Sequence, residues 1–505
     1  MNCDALDPDQ RAAVLAIEPA TLVHAQVGSG KTTVLVHRAA HLHLVRGVPL
    51  ERMAIITFTN RAAVELRTRL DALLGRTTSD RECWMMGTFH AVAAALLRRT
   101  RRFTILDDDQ AIELAVSVAR RLRVRPGRRA TLRDRMRTDP ALAALAAAVA
   151  SERRALDAMD FDDLIEQATI LLDRSASPAE HVLIDEVQDC EPRDLAFVRA
   201  LAGGTAHVFA VGDPLQSIYG WRGAAPELFA RATAELGCRV RTLPRSYRST
   251  ATVLDGARAI LGAQPTTIDS LIPTRGPGAA IAIVRHHDVT AEAAYLAARL
   301  AALHAGGVAW CELAVLCRLR AQIADLVEAL VTRGVPCVYD LDTIDPALPQ
   351  QAGEPAGVRV LTIHAAKGLE FAHVFISGAN VGVMPLLSRD PDASADRHAD
   401  PAEERRLLYV AMTRARDVLE ISYHARPHAF GAFGVASPML AALSAATATS
   451  EAPSVDDAWR VGQRVRHARY GTGTITAIAG DTIDCDFGKL GPRAFPRALC
   501  PLMAH

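Results

Sequence analysis

The segment VGSGKTT, residues 27–33, limits the fold of this 505-residue chain more than any other feature. It follows an apolar segment, Thr21 to Ala25, and precedes VLVHRAAHL, which is typical of a helix. A strand, a glycine-rich turn and a helix together form a phosphate-binding loop, because backbone N–H groups and the helix N-terminus then face an anion. Ala25 replaces the first glycine of the strict pattern, so a glycine turn without a ligand is the alternative. The segment predicts an α/β fold with a parallel sheet.

Within this loop, Lys31 is placed to reach the β- and γ-phosphates of a nucleotide, and the Thr32 hydroxyl is placed to bind Mg²⁺. Lys31 is one of three lysines beside 57 − 3 = 54 arginines, so a lysine at this position is not the default cation of the chain. The other loop residues predicted to contact the nucleotide are Gly28, Ser29, Gly30 and Thr33.

A second segment, HVLIDEVQD, places four strand-forming residues before Asp185 and Glu186. The arrangement puts two carboxylates at the carboxyl end of a strand, where ligands bind in open α/β sheets. We interpret Asp185 as a Mg²⁺ ligand and Glu186 as the catalytic base that orients water. A solvated acidic turn is the alternative.

Composition narrows the class of protein. The net charge is zero, half of the residues are hydrophobic and no apolar run is long enough to span a bilayer. The acidic N-terminus lacks the order of a signal peptide, and nine cysteines are scattered without a C-x-x-C pair. We therefore expect a cytoplasmic globular protein with reduced thiols and no contact with membranes.

Nine segments occur in a fixed order along the chain: LDPDQRAAV, AQVGSGKTT, IITFTNRAAVELRTRL, GTFHAVAAALL, LIDEVQD, VGDPLQSIYGWRGA, RSYRST, VLTIHAAKGLEF and EERRLLYVAMTRARD. In these segments the chain resembles superfamily 1 DNA helicases of the UvrD/Rep/PcrA type. The resemblance implies an ATP- and Mg²⁺-dependent helicase or translocase on single-stranded DNA, moving 3′ to 5′, in repair or replication. Two alternatives are a translocase that strips proteins with little unwinding, and an RNA-polymerase-binding adaptor with weak ATPase activity.

The resemblance also implies two RecA-like P-loop domains with parallel sheets, a helical insertion in the first, and a small C-terminal β-barrel of the Tudor or SH3 type. A short polar loop, Leu341 to Gly357, stands where the family inserts a large helical subdomain. The predicted boundaries are 1–97 and 179–247 for the first domain, 98–178 for its insertion, 248–440 for the second domain, 441–458 for a linker and 459–505 for the C-terminal module.

Residue roles follow from the matching positions. Around the nucleotide, the resemblance implies that Gln10 contacts adenine, that Tyr247 stacks on the base and that Gln216 senses the γ-phosphate. It also implies that Arg248 and Arg414 are arginine fingers and that Glu370 contacts the ribose. Single-stranded DNA and single-strand/duplex junctions are the expected partners, and bases stack on aromatic rings. The predicted DNA contacts are Phe58, Thr59, Asn60, Phe89, His90, Tyr219, Trp221, Arg222 and His364. Arg222 pairs either with Glu186 or with a phosphate.

Two further expectations concern binding surfaces. The C-terminal module resembles one that docks on RNA polymerase, and repair proteins are the other expected partners. Nine arginines lie between Arg120 and Arg137, with Asp134 as the single acid. This run is either a solvated charged face or a surface that holds a phosphate backbone.

Overall fold

The computed structural model describes residues 5–127, 129–204, 206–220, 226–262, 271–339, 357–387, 400–426, 434–443, 447–451, 460–467, 471–479, 482–496 and 502–504. The chain forms two compact units, Met1–Pro244 and Arg245–His505. The boundary between them falls three residues before the predicted one. Among the described residues, no helix combines the length and the apolar character needed to cross a membrane.

The first unit is an α/β layer structure around a parallel sheet. Its strands are β1 (Ala20–Ala25), β2 (Met53–Thr57), β3 (Met86–Thr88), β4 (Thr104–Ile105), β5 (Ala158–Met159), β6 (His181–Ile184), β7 (His207–Gly212) and β8 (Arg239–Leu243). The sheet order is β3-β2-β6-β7-β1-β8, with every pair parallel, and β4 pairs separately with β5.

The α-helices among the described residues of this unit are α1 (Pro8–Val14), α2 (Lys31–Leu44), α3 (Asn60–Leu74), α4 (Phe89–Arg98), α5 (Asp108–Arg121), α6 (Arg129–Thr138), α7 (Ala143–Ala155), α8 (Phe161–Asp173), α9 (Pro192–Ala202) and α10 (Pro226–Glu235). Aspartate N-caps with capping boxes start α1, α5 and α8, because the carboxylate accepts from backbone N–H groups of the first turn.

The core of the first unit lies on both faces of the sheet. Successive strand residues point to opposite faces, so Leu22 and Ile56 join one apolar cluster while Val23 and Ile55 join the other. A sheet that is buried on both sides needs the continuous apolar strands seen here. Because all its strands are parallel, their carboxyl ends meet at one edge.

The segment predicted as a helical insertion is helical, but it does not form one body. Helices α5, α6 and α7 share a small core of their own around Leu132, Leu145 and Val149. In contrast, Leu164 and Ile165 of α8 belong to the main core of the sheet. The separate part of the insertion therefore ends before α8.

The arginine run forms ion pairs with acids of this helical part and of α8. Arg133 contacts Asp108 at 2.5 Å and Asp162 at 2.8 Å, and Arg137 also pairs with Asp162. Further pairs join Arg121 to Glu152, Arg129 to Glu113 and Arg135 to Asp139. The acids that balance the run lie elsewhere in the sequence. Of the two interpretations left open, these contacts favour the charged structural face.

The second unit contains a larger parallel sheet and a smaller antiparallel one. Its strands are β9 (Arg245–Ser246), β10 (Ile272–Pro273), β11 (Ile281–His286), β12 (Leu313–Cys317), β13 (Cys337–Tyr339), β14 (Val358–Thr362), β15 (Phe371–Ser377), β16 (Ala415–His424), β17 (Thr447–Glu451), β18 (Arg464–His467), β19 (Gly471–Ala479), β20 (Thr482–Asp486), β21 (Pro492–Pro496) and β22 (Leu502–Ala504). Its helices are α11 (Ala251–Leu261), α12 (Val289–Ala305), α13 (Arg320–Thr332) and α14 (Pro401–Met412).

The larger sheet has the order β13-β14-β12-β15-β16-β11-β17, with every pair parallel. Its edge strand β17 lies within the segment that the sequence assigns to a linker. That expectation is wrong for Thr447–Glu451, which pair with β11. Small side chains and β-branched threonines suit an edge strand, although the same composition is typical of a linker.

Strands β18 to β22 form an antiparallel sheet of five strands, in the order β21-β20-β19-β18-β22. Val465, Ile475 and Ile483 form its apolar core. The alternation of apolar and polar residues predicts these strands. The described residues do not include a pairing between β21 and β22 that would close a barrel.

A buried ionic cluster lies at the carboxyl ends of β15 and β16. The Glu292 carboxylate on α12 accepts hydrogen bonds from Ser377 at 2.7 Å, from Ser422, and from Nε2 of His424 at 2.9 Å. Asn380 in turn donates to the His424 carbonyl at 2.8 Å. A buried charge needs such partners, so this cluster ties α12 to two central strands.

We expect the stability of the second unit to depend on pH through the pair formed by Glu292 and His424. Burial lowers the pKa of His424, but the Glu292 carboxylate outweighs burial and raises that pKa above 6.5. Burial raises the pKa of Glu292, yet His424 and the two serines hold it below 4.5. The stabilisation from the pair is therefore complete between the ordinary pKa values of the two groups, 4.5 for Glu292 and 6.5 for His424. It is lost as pH rises through the folded-state pKa of His424, and as pH falls through that of Glu292.

The variant His424→Gln tests this cluster. Because it leaves a buried carboxylate without its cation, we expect the free energy of unfolding at pH 6 to fall by about 3 kcal/mol. The loss should be smaller at pH 8.5 than at pH 6, because the stabilisation from the charged ring decreases as pH rises above 6.5. Urea unfolding at both pH values measures this. His287→Gln, which alters an exposed His–Asp pair, is the control. An equal loss at both pH values contradicts the assignment.

The variant Arg133→Met tests the arginine run. It removes contacts to three acids and should lower the melting temperature of the protein, whereas Arg120→Met, at an exposed position with no ion pair among the described residues, should not. Neither variant should change how DNA affinity depends on salt. A phosphate contact would change the log–log slope by about 0.9. A change of that size for Arg133→Met would instead support a surface that binds nucleic acid.

Candidate nucleotide-binding site

The phosphate loop lies between β1 and α2, as the sequence predicts. Ala25 is the last residue of β1 and is fully buried, so the departure from the strict pattern falls in the strand and not in the turn. Gly30 caps α2 with a φ of 81°, and a Cβ there would lie 2.8 Å from Nε2 of Gln10. Only glycine meets both requirements. Lys31, Thr32 and Thr33 form the first turn of α2, where backbone N–H groups point out of the helix.

Gln10 braces this loop. Its Nε2 donates to the Ser29 carbonyl at 2.9 Å, and its Oε1 accepts from the Asp7 N–H at 3.2 Å. The side chain therefore fixes the phosphate loop against the start of α1. Its predicted contact with adenine stays a prediction.

The acidic pair follows β6 directly. Asp185 is buried, its N–H donates to the Ile56 carbonyl at 2.8 Å, and its Oδ1 accepts from the Glu186 N–H at 3.0 Å. Burial and the Glu186 carboxylate raise the pKa of Asp185 to about 7, against the opposing charge of Lys31. Glu186 has a φ of 54°, in the left-handed region, where a non-glycine residue is strained. The strained turn aims its carboxylate at the phosphate loop.

Lys31 and Glu186 form an ion pair, with Nζ 3.1 Å from Oε2. Both side chains are mostly buried, so little water screens the contact. The residue predicted to bind phosphate thus holds the residue predicted to act as a base. The pair brings the two predicted halves of the site together.

The residues predicted to hold Mg²⁺ fit that ion. The Thr32 hydroxyl and the Asp185 carboxylate are hard oxygen donors of the kind that Mg²⁺ prefers. A buried carboxylate with a raised pKa is also one that a cation would stabilise in its charged form.

Two residues that the sequence reasoning did not single out connect the predicted ones. Gln188 donates from Nε2 to Oε2 of Glu186 at 2.6 Å, and its Oε1 accepts from the Asp213 N–H at 2.9 Å. Oδ2 of Asp213 then accepts from Nε2 of Gln216 at 2.7 Å. Both residues stand inside quoted motifs, DEVQD and VGDPLQ. Their position there is the signal that could have found them.

In the second unit, Arg248 and Glu370 form a pair, with Nε 2.6 Å from Oε2. Burial raises the pKa of Glu370, but Arg248 and, more weakly, Arg416 and Arg414 bring it below its usual value. Tyr247, predicted to stack on the base, is 43% exposed. Glu370 is thus a carboxylate held among guanidinium groups.

Arg414 is only 1% exposed, so its side chain is buried and not solvated. Its Nε donates to the Val410 carbonyl at 2.9 Å, and its Nη1 donates to the Leu369 carbonyl at 3.1 Å. These bonds fix α14 to the residue before Glu370. Its predicted role as an arginine finger is not tested by these contacts.

A further arginine lies beside this pair. Arg416 contacts Glu312 at 2.7 Å and Glu370 at 3.8 Å, and it is more exposed than Arg414. Arg275 donates to the carbonyls of Arg248 and Arg416, at 2.7 Å and 3.0 Å. The sequence reasoning missed Arg275 and Arg416. Neither is distinguished by type in a chain so rich in arginine.

The predicted DNA contacts differ in their surroundings. Phe58 is half-buried and its ring centroid lies 5.2 Å from that of Phe89, which is 3% exposed and belongs to the core. The His90 ring packs edge-on against Phe161, with centroids 5.2 Å apart. The half-buried surface of Phe58 is therefore supported by a core ring.

Four of the remaining predicted DNA contacts lie on loops or helix starts. Thr59 caps α3 through a hydrogen bond from Ala62, and Asn60 is its exposed first residue. Tyr219 is half-buried, and His364 lies in the turn after β14. Trp221 and Arg222 lie outside the described residues. Contact of all these residues with DNA stays a prediction.

Comparison with known proteins agrees with the site. The UvrD/REP helicase N-terminal domain matches residues 6–109 and 104–236, and the UvrD-like helicase C-terminal domain matches residues 343–426. ATP-dependent DNA helicase UvrD2 of Mycobacterium tuberculosis is 30% identical over 556 aligned residues, which cover 83% of this chain and 78% of that protein.

Two other relatives match over a smaller share of their own length. DNA helicase II of Escherichia coli is 32% identical and the alignment covers 66% of this chain and 51% of that protein. ATP-dependent DNA helicase PcrA of Leuconostoc citreum is 31% identical, and the alignment covers 65% of this chain and 48% of that protein. With these matches and with the phosphate loop, acidic pair and Gln216 in one place, the chain belongs to the UvrD/Rep helicase family.

Proposed function

We propose that this protein is an ATP- and Mg²⁺-dependent translocase on single-stranded DNA that also acts as a helicase. The observation that carries the proposal is the ion pair between Lys31 and Glu186. It lies at the N-terminus of α2, which suits an anion, and Gln188 donates a hydrogen bond to the same Glu186 carboxylate. The names of the relatives, as ATP-dependent DNA helicases, support the same activity.

In this proposal, ATP changes the partner of Lys31. The γ-phosphate competes for the ammonium group, which leaves the Glu186 carboxylate able to orient water and take its proton. Thr32 and Asp185 would hold Mg²⁺, which supplies neutralising charge at the phosphates. Gln216 is placed by Asp213 as the γ-phosphate sensor.

The second unit would supply the remaining charge as a RecA-like domain. Of the two proposed arginine fingers, Arg248 has a partner, Glu370, that it can exchange for a phosphate. Release of Glu370 would then free a carboxylate for the ribose hydroxyls. Arg414 would act beside it, from a fixed position at the end of α14.

The DNA side of the proposal rests on Phe58, Tyr219 and Trp221 as stacking residues and on His364 in the second unit. Movement from 3′ to 5′, a role in repair or replication, and a cytoplasmic location complete it. The five-stranded C-terminal sheet is proposed as a Tudor-like module for RNA polymerase or repair proteins.

One observation favours translocation with weak unwinding over strong unwinding. Strand β13 ends at Tyr339 and β14 begins at Val358, so the place of the family's large insertion holds residues 340–357 alone. The protein would have less surface to hold a duplex at the fork. We propose that unwinding improves with a partner or with several copies on one strand.

The test of the proposed function compares three activities in one buffer: ATP turnover with and without single-stranded DNA, displacement of streptavidin from single strands, and separation of a 3′-tailed duplex. We expect DNA-stimulated turnover and displacement, with weak separation. Glu186→Gln should lower turnover by about 10²–10⁴-fold while ATP and DNA still bind, because it removes the base but keeps the size of the side chain. Turnover that does not respond to DNA would contradict the proposal.

The variant Lys31→Arg tests the phosphate loop separately. Although the charge is kept, a planar guanidinium cannot replace a compact ammonium among phosphates. We expect turnover to fall by about 10²–10³-fold, the usual loss for a misplaced electrostatic donor. Lys367→Arg, in the second unit, should be milder. Near-normal turnover of Lys31→Arg would show that the loop is assigned wrongly.

A further inference from the structure

Gln188 occupies an unusual position for a side-chain amide. It is fully buried, yet both ends of its amide are used by groups on different strands of the first unit. Nε2 donates to Oε2 of Glu186, after β6, and Oε1 accepts from the N–H of Asp213, after β7. The Gln188 carbonyl also accepts a hydrogen bond from the Ser217 hydroxyl at 3.3 Å. One residue thus joins the catalytic carboxylate to the segment 213–217.

The last residue of β7, Gly212, leaves room for this amide. At Gly212, a Cβ would lie 2.5 Å from Oε1 of Gln188 and 2.8 Å from Cγ1 of Val187. The φ of Gly212 is not in the left-handed region, so its backbone does not require glycine. Glycine is needed there because the Gln188 amide approaches the main chain so closely. This close approach is independent of the hydrogen bonds.

The segment that Gln188 holds leads from the nucleotide side to the predicted DNA side. Asp213 positions Gln216 and caps the turn by accepting from the Leu215 N–H at 3.1 Å. Tyr219 follows three residues after Gln216. A shift of the Asp213 backbone would therefore reach both the γ-phosphate sensor and the first predicted stacking residue.

We infer that Gln188 is a positioning residue that couples the nucleotide state of Glu186 to the affinity of the 213–219 segment for single-stranded DNA. The inference rests on the proposed function. When the γ-phosphate withdraws Lys31, Glu186 retains Gln188 as a partner, and its carboxylate is free to move with that amide. Because Oε1 of the same amide holds the Asp213 N–H, movement at one end is transmitted to the other. By linkage, DNA bound at the segment changes the affinity for nucleotide by the same factor.

The test measures this coupling with ligands in place of turnover. The dissociation constant of a fluorescent oligo-dT is determined with and without a non-hydrolysable ATP analogue and Mg²⁺, for the wild type, Gln188→Met and Gln188→Asn. Methionine keeps the length and loses both hydrogen bonds, whereas asparagine keeps an amide that is too short to span both partners. Gln167→Met, the same substitution on α8 in this unit, is the control.

In the wild type we expect the analogue to change DNA affinity by about 5–150-fold, the usual range of allosteric coupling. In both Gln188 variants this ratio should approach one, while the affinity for each ligand alone stays within about threefold, since the Gln188 side chain is fully buried. Stimulation of ATP turnover by DNA should fall in parallel. The Gln167→Met control should keep the wild-type ratio.

Three outcomes are decisive. A wild-type ratio in a folded Gln188 variant overturns the inference and leaves the proposed function intact. Equal weakening of both single-ligand affinities with an unchanged ratio overturns it too, because that pattern marks a role in folding only. A wild type in which neither ligand affects the other overturns both the inference and the proposed function.

Discussion

The ion pair between Lys31 and Glu186 joins residues that stand 155 positions apart in the chain. It depends on β6, β7 and β1 lying side by side in one parallel sheet, because the acidic turn and the phosphate loop then leave the sheet at the same edge with a single strand between them. The same edge carries Gln188 and Asp213. The order of the strands therefore brings together the side chains of the first unit that are predicted to act on the nucleotide.

Much of this could be predicted from the sequence because the signals are local. The turn at Gly30, the strand before Asp185 and the helix starts depend on a few adjacent residues. Partner choice was not predictable in the same way. Gln188, the acids that pair with the arginine run, and the burial of Arg414 all depend on residues distant in sequence. The strand at 447–451 was missed because its composition suits a linker and an edge strand equally, and only its pairing with β11 decides between them.

The two units place a carboxylate in opposite electrostatic surroundings. In the first, Asp185 is buried among carboxylates and its pKa rises, so the site favours a cation. In the second, Glu370 lies among arginines and its pKa falls, so the surplus there is positive. A bound metal ion suits the first environment, and an anion suits the second. A chain that uses arginine almost everywhere can keep such a positive surplus at any physiological pH, because guanidinium groups do not lose their protons.

Strand β17 also fixes the point from which the chain continues to the C-terminal sheet. Because Glu451 is held in the larger sheet and the first strand of the small sheet, β18, begins at Arg464, the thirteen peptide steps between them span at most about 47 Å. Any molecule captured by the small sheet is consequently confined to a volume of that radius around the edge of the larger one. Such confinement corresponds to effective concentrations on the order of millimolar. A weak contact made by the small sheet would thus be sufficient to keep its ligand beside the rest of the protein.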